Sequence, residues 1–291
     1  MTDRPTTEES GMRLALWPGT MMPGKRGAAL EDRPVPAGAI GRVETPLIEV
    51  RRPVRPNGGA VLILGGGGYR HIQMAREGDP AADLALSLGL TAILLHHRLP
   101  IDGWAPEAAL QDVQRAMRVI RHHAADWAID PARLGVIGFS AGGHLAAMLA
   151  TCFDRETYRA DDAADALSAR PDFAVLLFPV ISLLAPYDTT ATRRMLSGST
   201  TDADLPKSYS PHLLVTPQTP PTFLAHAADD QVAPPDHSIL MFQALKAAGV
   251  AAELHVFQSG GHGHADGAPN TRFHLWQGLF SSWVAPWTGP N

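Results

Sequence analysis

The segment Gly138-Phe139-Ser140-Ala141-Gly142 sets a serine in a pattern that can make its hydroxyl reactive. Residues 134–139 before and through it are an apolar run that reads as a strand, and residues 141–151 read as a helix of small side chains. A strand that becomes a helix within one residue forces the serine backbone into a strained conformation, and glycines two positions to either side avoid the resulting clashes. Ser140 is therefore expected at the sheet edge as a nucleophile, the plainer alternative being a helix N-cap. A hydroxyl needs a base, and the base needs an acid to orient it. Both follow in order: Asp229 and Asp230 come after an expected strand at 222–225, and His262 and His264 after one at 253–257. Loops after parallel strands open on one edge of a sheet, so these side chains can converge on Ser140. Gly260-Gly261-His262-Gly263 favours His262, because its glycines let the backbone carry an imidazole close to the hydroxyl.

Acyl transfer develops negative charge on the carbonyl oxygen, which backbone N–H groups can stabilise. The run Gly65-Gly66-Gly67-Gly68 after an apolar stretch at 60–64 could place such donors opposite the N–H of Ala141. A phosphate loop is the competing reading, but the lysine followed by Ser or Thr is missing, as is an acid at dinucleotide spacing. The histidines show no zinc spacing, and one cysteine, Cys152, cannot build a thiolate site. No cofactor and no metal are expected.

These groups need elements to hold them. With 291 residues, 45% hydrophobic and 18% charged, the chain suits one large globular domain. Its 24 basic and 29 acidic residues leave a net charge of −5, which gives no field for nucleic acid. Strands are expected at 60–64, 91–95, 134–139, 173–178, 222–225 and 253–257, and helices at 80–88, 106–123, 141–151, 236–248 and 271–283. The stretch at 106–123 carries Ala109, Leu110, Val113, Met117 and Ile120 at helical spacing. Such alternation implies an α/β fold, a mostly parallel sheet with helices on both faces. Residues 1–59, rich in Pro and Gly with a short strand-like stretch at 47–51, are expected as an extended arm packed on a domain at 60–291. Residues 183–221 interrupt the alternation and are expected as a small cap insertion.

Taken together, these segments resemble the α/β-hydrolases, and within them esterases similar to bacterial acetylxylan esterases and feruloyl-esterase-like hydrolases. The likeness covers roughly 60–284. It rests on Gly66-Gly67-Gly68-Tyr69, Arg98-Leu99-Pro100, Leu110-Gln111-Asp112, Gly138 through His144, Thr219 through Phe223, Asp229-Asp230 and Gly260 through Gly263. The resemblance implies Ser140 as nucleophile, Asp230 as acid, His262 as base, and Gly66, Gly67 and Ala141 as oxyanion donors. It prefers Asp230 because that residue lies four positions after His226, where the family pattern puts its acid. It also implies short acyl groups on carbohydrate hydroxyls, such as those of acetylated xylo-oligosaccharides.

Tyr69, Arg70, Tyr187 and Trp104 are expected to line a sugar-binding mouth, core packing being the alternative for the aromatics. The rival functions are a general short-chain carboxylesterase, a peptidase of the same fold, and a catalytically silent binding protein. The expected partner is a small ester, with no nucleic acid and no membrane; self-association is left open. The polar, acidic start at 1–10 does not read as a signal peptide and no apolar run approaches bilayer length, so a cytoplasmic location is expected.

Overall fold

The computed structural model describes residues 11–18, 22–24, 26–29, 34–197, 204–266 and 270–289; the stretch read for a signal peptide lies outside them. Eight strands form one sheet: β1 (Met12–Ala15), β2 (Leu47–Arg51), β3 (Ala60–Leu64), β4 (Thr91–His96), β5 (Leu134–Phe139), β6 (Ala174–Leu177), β7 (Thr222–Ala227) and β8 (Ala252–Phe257). Their order is β1-β2-β4-β3-β5-β6-β7-β8. The pairs β1–β2 and β2–β4 are antiparallel and all the others are parallel. This is the α/β-hydrolase architecture.

The central strands are continuous apolar runs because both faces are covered. In β3, Ala60, Leu62 and Leu64 face one layer, built with α2 (Glu107–His122), α3 (Ser140–Cys152) and α6 (Asp236–Ala247). Val61 and Ile63 face the other, built with α1 (Asp79–Ser87) and α7 (Trp276–Trp283) around Phe139, Phe173 and Phe223. The alternation of one strand thus divides its side chains between the two cores. None of the described helices is long and apolar enough to cross a membrane.

The N-terminal arm is more than a packed strap, since β1 and β2 lie within residues 1–59 and extend the sheet. β1 is an edge strand of four residues, three of them exposed, too short for its sequence to announce it. Past β1, Leu16 and Trp17 drop into the core. The Trp17 indole donates to Asp112 at 2.8 Å, and Asp112 is also paired with Arg98 at 2.7 Å, both side chains being fully buried. Asp112 further accepts the Arg98 backbone N–H at 2.8 Å, and the guanidinium lies over the rings of Trp104 and Trp17. The segments 98–100 and 110–112 are therefore one buried electrostatic joint between β4, α2 and the arm. Breaking such a pair leaves an uncompensated buried charge. Asp112→Ala is expected to lower stability by about 3–5 kcal/mol, read as a shift in urea midpoint at unchanged m-value.

Residues 183–221 connect β6 to β7 through α4 (Ala191–Ser197), α5 (Leu205–Ser208) and a short turn at Pro211–Leu213. Residues 198–203 of this insertion lie outside the described set.

Candidate active site

Ser140 follows β5 and opens α3, with a backbone φ of +51° that a non-glycine residue rarely adopts. A Cβ on Gly138 would lie 2.3 Å from the Gly142 carbonyl oxygen, and one on Gly142 would lie 2.2 Å from that of Leu64. The flanking glycines are thus required by the closeness of the turn to itself and to β3. The resulting hydroxyl is 8% exposed at the residue level and lines a cavity of about 330 Å³.

His262 Nε2 lies 2.8 Å from Ser140 Oγ, and His262 Nδ1 lies 2.6 Å from Asp230 Oδ2. With Asp230 ionised, the ring carries its proton on Nδ1 and presents Nε2 as an acceptor to the hydroxyl. Asp230 is fixed in turn: its Oδ1 accepts the N–H groups of Val232 and Ala233 at 2.8 and 3.0 Å. Its Oδ2 lies 3.3 Å from Nε2 of His226, a ring also held by Ala233 O and Ser238 Oγ, both at 2.8 Å. Burial acts to raise the Asp230 pKa, but the bonds with His226 and His262 outweigh it and hold the carboxyl well below the usual carboxylate range.

Asp229 has a different position. Its Oδ1 accepts the N–H groups of both Gly260 and Gly261 at 2.9 Å, tying the β7 loop to the loop that carries His262. Gly261 and Gly263 have φ of +62° and +86°, so the glycines around His262 serve backbone conformations that other residues resist. The Phe178 ring packs against the imidazole at 4.9 Å between centroids.

The glycine run departs from expectation at one position. The N–H of Gly66 is directed at Glu77 Oε2 at 2.6 Å, so this expected oxyanion donor is already engaged by a carboxyl group. Gly67 and Gly68, in contrast, line the cavity beside Ser140, and the Gly67 carbonyl oxygen accepts the Arg70 N–H at 3.0 Å. Ala141 lies in the first turn of α3, whose N–H groups have no intrahelical acceptor.

The expected substrate contacts divide. Arg70 lines the cavity. Tyr69 is 3% exposed and hydrogen-bonded through its hydroxyl to His144 Nδ1 at 2.8 Å, so it is a buried strut rather than a contact surface. Burial lowers the His144 pKa to about 4, and its Nε2 lies 2.8 Å from the Tyr209 carbonyl oxygen; the neutral ring therefore donates there and accepts from Tyr69. Trp104 is 8% exposed under the Arg98 and Arg26 guanidinium groups. Tyr187 packs on His237 and lies 3.4 Å from Asp236, away from the cavity's lining.

Sequence reasoning missed Glu77. It is 2% exposed, lines the cavity, and burial raises its pKa to about 7 against the lowering effects of the Gly66 N–H, His262 and Arg76. In Arg76-Glu77-Gly78-Asp79-Pro80 it reads as an ordinary acidic residue before a helix. Among the described residues no group of three or more His, Cys, Asp or Glu side chains is arranged to hold a metal ion.

The BD-FAE family model matches residues 55–245. The chain is 33% identical over 205 residues to endo-1,4-beta-xylanase B of Butyrivibrio fibrisolvens, an alignment covering 70% of this chain and 32% of that protein. It is 30% identical over 220 residues to an acetylxylan esterase of Xylanibacter ruminicola, covering 74% of this chain and 43% of that one. The chain thus spans less than half the length of these two curated relatives. Among solved structures, the acetyl ester-xyloside bifunctional hydrolase from Caldicellulosiruptor lactoaceticus superposes with a TM-score of 0.77 at 32% identity, covering 95% of this chain and 96% of that one.

Proposed function

The chain belongs to the BD-FAE family, and from that premise we propose that it is a serine carboxylic-ester hydrolase that removes short acyl groups, acetyl above all, from carbohydrate hydroxyls such as those of xylo-oligosaccharides. The observation that carries this reading is the unbroken row Ser140–His262–Asp230 at 2.8 and 2.6 Å on the wall of a cavity. His262 Nε2 takes the proton of Ser140 Oγ as that oxygen attacks the ester carbonyl. Asp230 holds the imidazolium that forms, and the N–H groups of Gly67, Gly68 and Ala141 receive the oxyanion. Collapse expels the alcohol, which leaves with the proton from His262. Water then attacks the acyl-serine by the same route, returning the proton to Ser140 and releasing the acid.

Support for a small acyl group comes from the lining. Val180, Ala191 and Val232 are its aliphatic side chains, too few to line an extended acyl chain in a cavity of about 330 Å³. A long apolar tunnel would return roughly 0.8 kcal/mol for each CH₂ buried, so a lipase should improve with chain length. This cavity should not. We expect kcat/KM to fall from acetyl to octanoyl nitrophenyl esters, with acetate released from acetylated xylo-oligosaccharides. A maximum at hexanoyl or longer, with no acetate from the sugars, would favour a general carboxylesterase instead.

A further inference from the structure

Four consecutive glycines make a poor platform for oxyanion stabilisation unless something outside the run holds it. Glycine loses more backbone freedom on ordering than any other residue, whereas oxyanion stabilisation depends on donors fixed before the reaction begins. Gly67 and Gly68 have φ of +118° and +65°, conformations that glycine adopts without enforcing. Two bonds constrain the peptides at the start of the run. Glu77 Oε2 accepts the Gly66 N–H at 2.6 Å, and the Gly66 carbonyl oxygen accepts the Gln73 N–H at 3.0 Å. Across a trans peptide the carbonyl and the next N–H point in opposite directions. The Gln73 bond therefore turns the N–H of Gly67 away from Gln73, and the Glu77 bond sets the plane of the peptide just before it.

The spacing around Gly66 leaves no room for a side chain. A Cβ on Gly66 would lie 2.9 Å from Glu77 Oε2, 2.9 Å from Ser140 Cβ and 2.8 Å from the Phe139 carbonyl oxygen. The carboxyl group and the nucleophile's Cβ thus crowd the same space beside Gly66, which only a residue without a side chain leaves open. A carboxyl group that is 2% exposed is costly to desolvate, and the hydrolytic steps above make no use of it.

We propose that Glu77 is a positioning residue for ester hydrolysis: by holding the Gly66 N–H it fixes the 65–67 backbone so that the Gly67 N–H meets the oxyanion formed at Ser140. The proposal rests on the serine-hydrolase reading and deepens it. Burial raises the Glu77 pKa to about 7, so an uncharged acceptor of the same shape should hold the loop in nearly the same way. Glutamine is such an acceptor. Alanine and methionine are not, and methionine also fills the space.

The test compares Glu77→Ala, Glu77→Met and Glu77→Gln with wild type in acetyl-ester hydrolysis and in binding of an aryl trifluoromethyl ketone, which forms a tetrahedral oxyanion on the serine. Losing one oxyanion donor costs about 10²–10³-fold in kcat, and losing its support is expected to cost about 10²-fold in Glu77→Ala and Glu77→Met. KM should stay within about threefold, and ketone affinity should fall in proportion to kcat/KM, as it must when only transition-state binding is lost. Glu77→Gln should keep both values within about fivefold of wild type, a rescue that a packing role would not give to Gln over Met. The proposal is overturned if the Met and Gln variants fall alike, if the loss lies in KM with ketone affinity unchanged, or if Glu77→Met keeps the wild-type kcat. Should Glu77→Ala fail to fold, the Met and Gln pair decides. Ser140→Ala separates the two readings: if it hydrolyses the ester as fast as wild type, the serine-hydrolase reading has failed, whereas an inactive Ser140→Ala beside a fully active Glu77→Met refutes the role of Glu77 alone.

Discussion

Ser140→Ala is expected to lower kcat for nitrophenyl acetate by about 10⁴-fold or more, because losing the nucleophile of a triad removes the covalent route entirely. The fold should survive. Oγ makes its bond to His262 at the cavity wall, and alanine keeps the Cβ that packs against Gly66. The backbone adds a second readout. At φ of +51° the residue is strained, and glycine would relieve of order 1–2 kcal/mol of that strain. Ser140→Gly should therefore be as inactive as Ser140→Ala yet melt at a higher temperature. A serine-directed phosphonate should label wild type and neither variant. If Ser140→Ala retains more than about a thousandth of the wild-type rate, covalent catalysis through this residue is wrong.

The legible parts of this molecule are those whose cause is local in the chain. The turn at Ser140 announces itself because a strand, two glycines and a small-residue helix must all occur within a few positions. The paired core layers are legible because β3, β4 and β5 are apolar on both faces and their connections are helical. Other features depend on what sits across space. Met12–Ala15 is only four residues long, and its place in the sheet comes from pairing with Leu47–Val50. Tyr69 and Trp104 follow strand ends, where an aromatic pointing into a mouth and one pointing into the core have the same sequence signature; His144 and Arg98 decide for the core. Among four identical glycines no side chain marks which N–H is engaged. Glu77, eleven residues downstream, settles that for Gly66.

Asp229 and Asp230 show the same limit at the site itself, and their difference gives the second large effect. Adjacent and chemically identical, they are assigned by the turn after β7, which sends one carboxylate to the His262 ring and the other to the backbone of the His262 loop. Asp230→Asn keeps the shape but can present an N–H to Nδ1, which favours the wrong tautomer, with Nε2 protonated and unable to take the serine proton; the expected loss in kcat is about 10⁴-fold. His262→Ala should lose at least as much. Asp229→Asn should behave differently, because an amide oxygen can still accept both glycine N–H groups, and its kcat is expected to stay within about fivefold of wild type. Asp229→Ala leaves those N–H groups unmet and frees a glycine-rich loop to wander. Since small misplacements of a catalytic group can cost about 10²-fold, its kcat should fall by roughly 10–10². His264→Ala, which removes the neighbouring imidazole, should remain close to wild type. Steady-state kinetics on one acetyl ester across the five variants checks the set. Equal losses for Asp229→Asn and Asp230→Asn, or a His264→Ala loss matching that of His262→Ala, would mean that the loops in solution carry the other pair to Ser140.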